Sequence, residues 1–395
     1  MKKVNKEKIL ILTGNYGDGH IQVAQALQDA MQIRFPHMEP VVIDFMEWIH
    51  PYVNHLSRFV YLQAVKTFPQ VYGYLYQKTR RQNALSHIIK TVFSTGIGRM
   101  MKLISKVQPA IVVSTFPLAA GVMSKLKSYG LIDIPTVTTI TDHTDHSSWI
   151  YPYTDQYIVG STIVRDSLIQ LGVEEVRIAD TGIPIRPQFS QSMEREETAK
   201  KYGLDPHMPT VLVMGGGGGM IGDGSSTVQE LDQLPQPAQF IIVCGHNGKL
   251  RMELSEKLKS SKHRIYLTGY IHDVHELMAV SDLMITKPGG VTTFEAIAME
   301  LPMLLCKPIP GQEQDNAEFL VRSGVAIHAE TSRGLTERLS QLLDDTKLLQ
   351  GMKENTKRFH PKESAFASLE VIFATFEMKT KYMLLEDRQV LIPYC

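Results

Sequence analysis

The stretch Asp282–Leu320, DLMITKPGGVTTFEAIAMELPMLLCKPIPGQEQDNAEFL, decides the fold. It opens on an apolar run ending at Thr286, breaks at Pro288-Gly289-Gly290, and continues into an amphipathic segment expected to be helical from near Val291. A second apolar run, PMLLCK, leads to another polar turn, Pro310 to Asn316, that opens a further helix. Short continuous apolar strands separated by helix-length segments indicate a parallel sheet covered on both faces, because each crossover lays a helix over the sheet. Both turns then emerge at the carboxyl ends of strands, where open α/β sheets bind their ligands.

The same alternation extends outward from this block. KILILTG, PVVIDF, AIVVSTF, TVTTIT and QYIVG recur in the first half, and TVLVMGG and QFIIVCG, then RIYLTGY, precede the block in the second. At 395 residues the chain exceeds what one hydrophobic core supports. Each half therefore reads as its own doubly wound α/β domain. The intervening stretch TGIPIRPQFSQSMEREETAKKYGLDPHMPT is rich in proline and charge and poor in aliphatics, so it reads as a linker, with the boundary near Arg186 to Pro209. The expected domains are residues 1–185 and 186–365, followed by a C-terminal helix and polar tail at 366–395 able to pack back on the first domain. Trp48 to Arg99 holds no strand-like run but many aromatics and basics, which implies helices inserted after the second strand.

Composition narrows the function. Lys plus Arg and Asp plus Glu balance at 41 each, so no molecule-wide field favours nucleic acid. Cys244, Cys306 and Cys395 are far apart with no C-x-x-C, which argues against zinc ribbons, dithiol chemistry and a disulfide framework and suits a reducing cytosol. The start MKKVNKEK is basic, but the apolar run Ile9–Leu12 is too short for a signal peptide and reads as a buried strand. No segment approaches the roughly 20 apolar residues that span a bilayer.

Two glycine-rich turns carry the chemistry. In TGNYGDGHIQVAQAL, Gly14, Gly17 and Gly19 permit a tight turn into a helix carrying His20 at its start. An imidazole with an intrinsic pKa of about 6.5 can take a proton from a hydroxyl; a structural strand-to-helix turn with a surface histidine is the alternative. The run Gly215–Gly219 follows the strand VLVM and bares several N–H groups suited to a pyrophosphate. It lacks the Gly-Lys-Ser/Thr ending of an ATP-hydrolysing loop, and a merely flexible turn is the alternative. In the deciding block, Glu295, expected within the first turn or so of its helix, can accept two ribose hydroxyl hydrogens, while Gln312, Glu313 and Asn316 supply donors and acceptors suited to a sugar. Glu295 and Glu313 could also simply favour helix N-termini.

These motifs, taken together, resemble glycosyltransferase family 28, of GT-B fold, and within it the diacylglycerol glucosyltransferases and monogalactosyldiacylglycerol synthases. The resemblance rests on GNYGDGH at 14–20, TDHTDHSSW at 141–149, TGIPIRPQF at 181–189, MGGGGG at 214–219, VCGHN at 243–247, GYI at 269–271, ITKPGGVTTFEA at 285–296 and PIPGQEQDN at 308–316, in the family's order over nearly the whole chain. It implies two Rossmann-like domains facing a central cleft. It further implies that His20 is the base or an acceptor-site histidine, that Gly215, Gly216, Gly217, Gly218, Gly219, Gly289 and Gly290 cradle the diphosphate, that Ile271 and neighbouring backbone hold uracil, that Glu295 binds ribose, and that Gln312 and Glu313 hold the donor sugar, with Gly245, Thr292 and Asn316 also on the donor side. Gly19, Asp142, His146 and Trp149 fall on the acceptor side, where His143 and Asp145 intrude on the family's pattern.

The implied reaction moves glucose or galactose from its UDP conjugate to a lipid hydroxyl, diacylglycerol in the first instance, with inversion. The resemblance implies no metal and no further cofactor, and His143 and His146 with Asp142 and Asp145, which could be mistaken for metal ligands, include no Asp-x-Asp pair. The aromatic and basic stretch at 48–99, with Lys66, Lys78, Arg80 and Arg81, fits a protein lying on the anionic cytoplasmic face of a membrane, though ordinary helix packing would use the same aromatics. A GT-B transferase with another acceptor, a GT-B epimerase and a non-catalytic UDP-sugar or lipid-binding protein are the rival readings.

Overall fold

The computed structural model describes residues 7–52, 54–86, 96–219, 222, 224–306, 308–359 and 361–389. Residues 87–95 of the insertion, Met220, Ile221 and Asp223 of the glycine-rich run, Lys307, and the side chain of Lys66 lie outside the described set. The chain divides into two compact units, one of residues 1–186 and 363–395, the other of residues 187–362.

The first unit is built on six parallel strands, β1 (Lys8–Thr13), β2 (Glu39–Asp44), β3 (Ile111–Ser114), β4 (Thr136–Thr139), β5 (Gln156–Ile158) and β6 (Ile178–Ala179), in the order β2-β1-β3-β4-β5-β6. Ile9, Leu10, Ile11 and Leu12 are all fully buried, as a strand with helices over both faces requires. Burying each such side chain is worth about 1.5–3 kcal/mol, and truncating one to alanine costs about 2–5 kcal/mol. The strand order reverses between β1 and β3, which brings the turn after Thr13 beside the turn after Ser114.

The second unit repeats the plan with β7 (Thr210–Met214), β8 (Gln239–Val243), β9 (Arg264–Thr268), β10 (Leu283–Thr286), β11 (Met303–Leu305) and β12 (Ala326–His328), all parallel in the order β12-β11-β10-β7-β8-β9. Its reversal lies between β7 and β10, the point at which doubly wound sheets open a crevice. The pentaglycine leaves β7 and the Pro-Gly-Gly turn leaves β10, so both motifs arrive at that point.

Ten of the twelve strands coincide with the apolar runs of the sequence; β6 and β12 are edge strands of two and three residues, too short to carry a pattern. The stretch read as a linker differs more. Residues 187–209 belong to the second unit: Phe189 is buried, and Arg195 forks onto Asp282 with two contacts of 2.9 Å while the Thr210 N–H donates to the same carboxylate at 2.8 Å. Charge in that segment closes a packed contact, which composition does not distinguish from solvation. The insertion after β2 is helical where described, with helices Phe45–Ile49, Asn54–Thr67 and Pro69–Thr79, and Ile97–Val107 beyond. The last helix, Ser364–Gln389, packs on helix Asp18–Arg34 of the first unit, where Phe35 and Phe373 rings lie 4.0 Å apart and Arg34 pairs with Glu370 at 2.9 Å.

Candidate active site

In the first unit, β1 ends at Thr13 and helix Asp18–Arg34 starts behind Gly17, placing His20 third in the helix. A Cβ on Gly14 would meet the Phe116 ring at 2.7 Å, so glycine is required for the ends of β1 and β3 to come this close. The Thr115 hydroxyl donates to the His20 carbonyl at 3.0 Å and fixes that backbone. The imidazole is partly buried, edge-on to Phe116 with centroids 5.3 Å apart and 5.9 Å from the Trp149 ring. Its Nδ1 is 3.1 Å from the Thr141 hydroxyl, which reaches the Asp142 carboxylate at 3.4 Å. Burial holds the imidazole below its ordinary pKa, with the Asp142 carboxylate and, to a lesser degree, the Thr115 backbone pulling upward. The net direction leaves His20 neutral near pH 7, the form able to accept a proton.

The loop 141–149 is occupied mostly by its own support. His146 and Trp149 are buried. His146 meets the Ser148 hydroxyl at 2.8 Å through Nδ1 and, through Nε2, lies 3.0 Å from the Tyr76 carbonyl, while its ring lies on Tyr76 at 4.2 Å. Asp145 pairs with Arg80 at 2.7 Å and Arg81 at 3.3 Å. His143 is buried against Gly160, and burial alone pushes its imidazole down to about 3. Among the acceptor-side residues expected from the sequence, Asp142 and Trp149 come together around His20, whereas His146 fastens an inserted helix. Among the described residues, no group of three or more His, Cys, Asp and Glu is placed to hold a metal ion.

In the second unit the glycines divide into two kinds. Gly219, at φ +62°, would place a Cβ 1.7 Å from the Cys244 carbonyl oxygen, and Gly245, at φ +54°, would place one 2.3 Å from that of Gly217. The His246 N–H donates to Gly217 at 3.0 Å. These contacts fold the loop after β7 onto the loop after β8. A Cβ on Gly218 or Gly289 would meet nothing within 4 Å, so packing does not demand glycine there. Bare backbone beside open space is what a closely approaching ligand requires.

The helices leaving the strand ends add to this. Those that follow β1, β7, β10 and β11 begin behind Gly17, Gly224, Gly289 and Gly311, none with a side-chain cap. Those after β5, β8 and β12 are closed by the side chains of Ser161, Asn247 and Thr331. At helix starts of the former set no side-chain oxygen takes the place of an anion, and the helix dipole favours one there.

Helix Gly290–Ala298 starts one residue before Val291 and carries Thr292 in its first turn. Glu295 lies in its second turn, not its first, and is buried. A helix-dipole preference does not account for an acid there, while a buried carboxylate makes strong hydrogen bonds to hydroxyls. Asn316 is fully buried and donates to the Pro288 carbonyl at 2.9 Å, tying helix Gln312–Arg322 to the Pro-Gly-Gly turn. Gln312 and Glu313 open the helix, and one Glu313 oxygen accepts from the Ile309 N–H at 2.8 Å.

One feature of this edge was not assigned from the sequence. Exposed His246, after β8, stacks on Tyr270, after β9, with centroids 4.3 Å and planes 12° apart, and His272 meets Tyr270 edge-on at 5.1 Å. Both residues fall inside quoted motifs beside Gly245 and Ile271, but only the sheet register brings the two strand ends side by side. The pair forms a flat shelf next to the glycine loops, suited to a planar base.

Comparison with known proteins agrees with this architecture. The family model described as monogalactosyldiacylglycerol (MGDG) synthase matches residues 20–185, and that of the glycosyltransferase family 28 C-terminal domain matches residues 210–370. The processive diacylglycerol beta-glucosyltransferases of Bacillus pumilus (strain SAFR-032) and Bacillus subtilis (strain 168) are each 34% identical to the chain, over 95% of it and 96% and 97% of their own lengths. Among solved structures, MurG of Acinetobacter baumannii aligns with a TM-score of 0.60 at 14% identity, covering 93% of this chain and 99% of that one. Anabaena Alr3699/HepE in complex with UDP aligns at 0.55 and 14%, covering 93% and 100%. A UDP-GlcNAc 2-epimerase from Neisseria meningitidis aligns at 0.59 and 14%, so the fold is shared by more than one chemistry. By its family-model matches and its near full-length relatives, the chain belongs to glycosyltransferase family 28, on the branch of the diacylglycerol glucosyltransferases and monogalactosyldiacylglycerol synthases.

Proposed function

We propose that the chain transfers glucose from UDP-glucose to the free hydroxyl of diacylglycerol at a membrane surface, inverting the anomeric carbon to give a β-glucoside. The observation that carries the reading is the edge at the β7–β10 reversal. Open glycine backbone at Gly218 and Gly289, uncapped helix N-termini and buried Glu295 meet there, a set suited to a diphosphate and its ribose. The relatives named diacylglycerol beta-glucosyltransferases support glucose and diacylglycerol in particular.

The donor's diphosphate accepts from the glycine-loop N–H groups and from the helix opened by Gly290, the uracil lies on the Tyr270–His246 shelf beside Ile271, and Glu295 takes ribose hydroxyls. His20 accepts the proton of the attacking lipid hydroxyl. As the C1–O bond to UDP breaks, its electron pair passes to the β-phosphate, where fixed N–H dipoles stabilise the growing charge. The reaction needs no metal or further cofactor. Among the described residues no helix is long and apolar enough to cross a membrane. Phe59, Phe68, Val71 and Tyr74 are exposed in and between helices Asn54–Thr67 and Pro69–Thr79, with Lys78 in the same element, which favours peripheral attachment to an anionic bilayer.

The test is transfer of label from UDP-glucose and UDP-galactose to vesicles containing diacylglycerol. Labelled glycolipid from UDP-glucose supports the reading; release of UDP with free sugar or an epimer, and no lipid product, overturns it.

A further inference from the structure

Neutral imidazole carries one proton, and a base working through Nε2 must keep that proton on Nδ1. The group facing Nδ1 of His20 is therefore decisive. It is the Thr141 hydroxyl at 3.1 Å, itself 3.4 Å from the Asp142 carboxylate. A hydroxyl has a single hydrogen, and an ionised carboxylate only accepts. With Asp142 taking that hydrogen, Thr141 can only accept from Nδ1–H. Were the hydrogen turned toward Nδ1, Nε2 would hold the imidazole proton and the base would be lost. Thr141 is buried, and the Thr115 hydroxyl holds the His20 backbone from the other side, so few rearrangements are open to this chain of three.

We propose that Thr141 is the positioning residue of the reaction, accepting from His20 Nδ1–H and donating to Asp142 so that Nε2 faces the acceptor hydroxyl as a free base. The proposal rests on His20 being the base in the reading above. In the transfer step the acceptor O–H bond breaks, its proton joins Nε2, the oxygen bonds to the anomeric carbon, and the C1–O electron pair leaves on UDP. His20 becomes imidazolium, and its Nδ1–H remains hydrogen-bonded through Thr141 to the Asp142 charge without passing a proton along. The proton on Nε2 returns to solvent after product leaves.

The experiment compares wild type, Thr141→Val, Thr141→Ser, Asp142→Asn, the double variant Thr141→Val/Asp142→Asn, and His20→Ala. It measures kcat and KM for transfer from UDP-glucose to diacylglycerol vesicles, UDP affinity by calorimetry, and the His20 tautomer by 15N NMR. Valine keeps the shape and removes the hydroxyl, and is expected to lower kcat by about 100-fold, within the range of general-base catalysis, with UDP affinity unchanged. Serine is expected to restore kcat to within about threefold, because groups that act as a unit respond to the missing group and not to its methyl. The His20 signal should report Nδ1–H in wild type and Thr141→Ser and lose that preference in Thr141→Val. The losses from Thr141→Val and Asp142→Asn should not add. Wild-type kcat in Thr141→Val, an equal loss in Thr141→Ser, or full additivity overturns the proposal. Should Thr141→Val not fold, as loss of the first unit's thermal transition would reveal, Asp142→Asn and the serine variant decide alone through kcat and the tautomer. A fully active His20→Ala instead overturns the reading beneath it.

Discussion

The Arg80 guanidinium lies 2.7 Å from the Asp145 carboxylate, and this pair fastens the end of helix Pro69–Thr79 to the loop that faces His20. Around it the Ser147 N–H donates to the Arg80 carbonyl at 2.9 Å, the Ser147 hydroxyl to the Thr79 carbonyl at 2.7 Å, and the Tyr76 and Thr144 hydroxyls meet at 2.8 Å. At its other end the same loop carries Thr141 to the imidazole. The helix with exposed aromatics and the candidate base are thus joined through one short, buried segment.

Removing the Asp145 carboxylate should loosen that joint. The Asp145 side chain is 10% exposed, so Asp145→Ala removes a nearly buried carboxylate together with its contacts to Arg80 and Arg81. The expected cost is about 2–3 kcal/mol, a fall on the order of 5–10 °C in the first unit's transition. Differential scanning calorimetry measures it; an unchanged transition would mean that the pair is incidental.

Activity should depend on pH through His20. Its folded pKa is lowered, chiefly by burial, and the active form is unprotonated. Transfer should therefore be level at neutral pH and decline only as acid brings the medium below the ordinary imidazole value of about 6.5. His20→Ala should reduce kcat by about 10²–10⁴ and remove the acid limb, with UDP affinity preserved. A limb that survives the substitution assigns the titration to another group.

The two kinds of glycine should separate stability from binding. Gly219→Ala combines φ +62° with a 1.7 Å clash, and should lower the second unit's thermal transition. Gly289→Ala, in extended backbone at φ −78° with open space around it, should leave the transition in place while weakening UDP binding by about tenfold, through obstruction of one N–H contact. Equal UDP affinity in Gly289→Ala would show that the diphosphate lies elsewhere.

How far the sequence anticipates this depends on the length and locality of each signal. Strands such as Ile9–Leu12 and Phe240–Val243 are apolar throughout and declare two covered parallel sheets. Strands of two or three residues such as Ile178–Ala179 have no period to read. The pentaglycine and the Pro-Gly-Gly turn are legible because their placement after a strand is local. That Gly219 serves packing while Gly218 does not depends on Cys244, brought near by the pairing of β7 with β8. His20 stands out by residue type, but its partner Thr141 is 121 positions away and meets it only through the order of β1, β3 and β4. Arg195 reads as a linker charge because Asp282, its partner, is likewise remote in sequence.

Membrane attachment should reside in the inserted helices. Phe59, Phe68 and Tyr74 are 60%, 62% and 62% exposed, an apolar surface that water disfavours and a bilayer interface accepts. Replacing all three with serine should lower binding to vesicles containing phosphatidylglycerol by more than about tenfold, given about 1.5–3 kcal/mol for each large apolar side chain buried. Thermal stability should be unchanged, since these side chains support no core. Cosedimentation with vesicles is the measurement, and undiminished binding would place the attachment surface on another part of the chain.

Glu295 offers the sharpest check on the donor. As a buried second-turn carboxylate it should recognise ribose hydroxyls through charge-assisted hydrogen bonds, each worth about 1.5–3 kcal/mol. Wild type should then bind UDP about 10–100-fold more tightly than 2′,3′-dideoxy-UDP, by the same energies. Glu295→Ala should erase most of that preference by weakening UDP and leaving the dideoxy nucleotide almost unaffected. Calorimetric titration of both nucleotides against both proteins closes the cycle, and it separates a ribose contact from a merely structural acid. A structural role would weaken both nucleotides alike and keep their ratio, because disrupted packing has no means of sensing two hydroxyls.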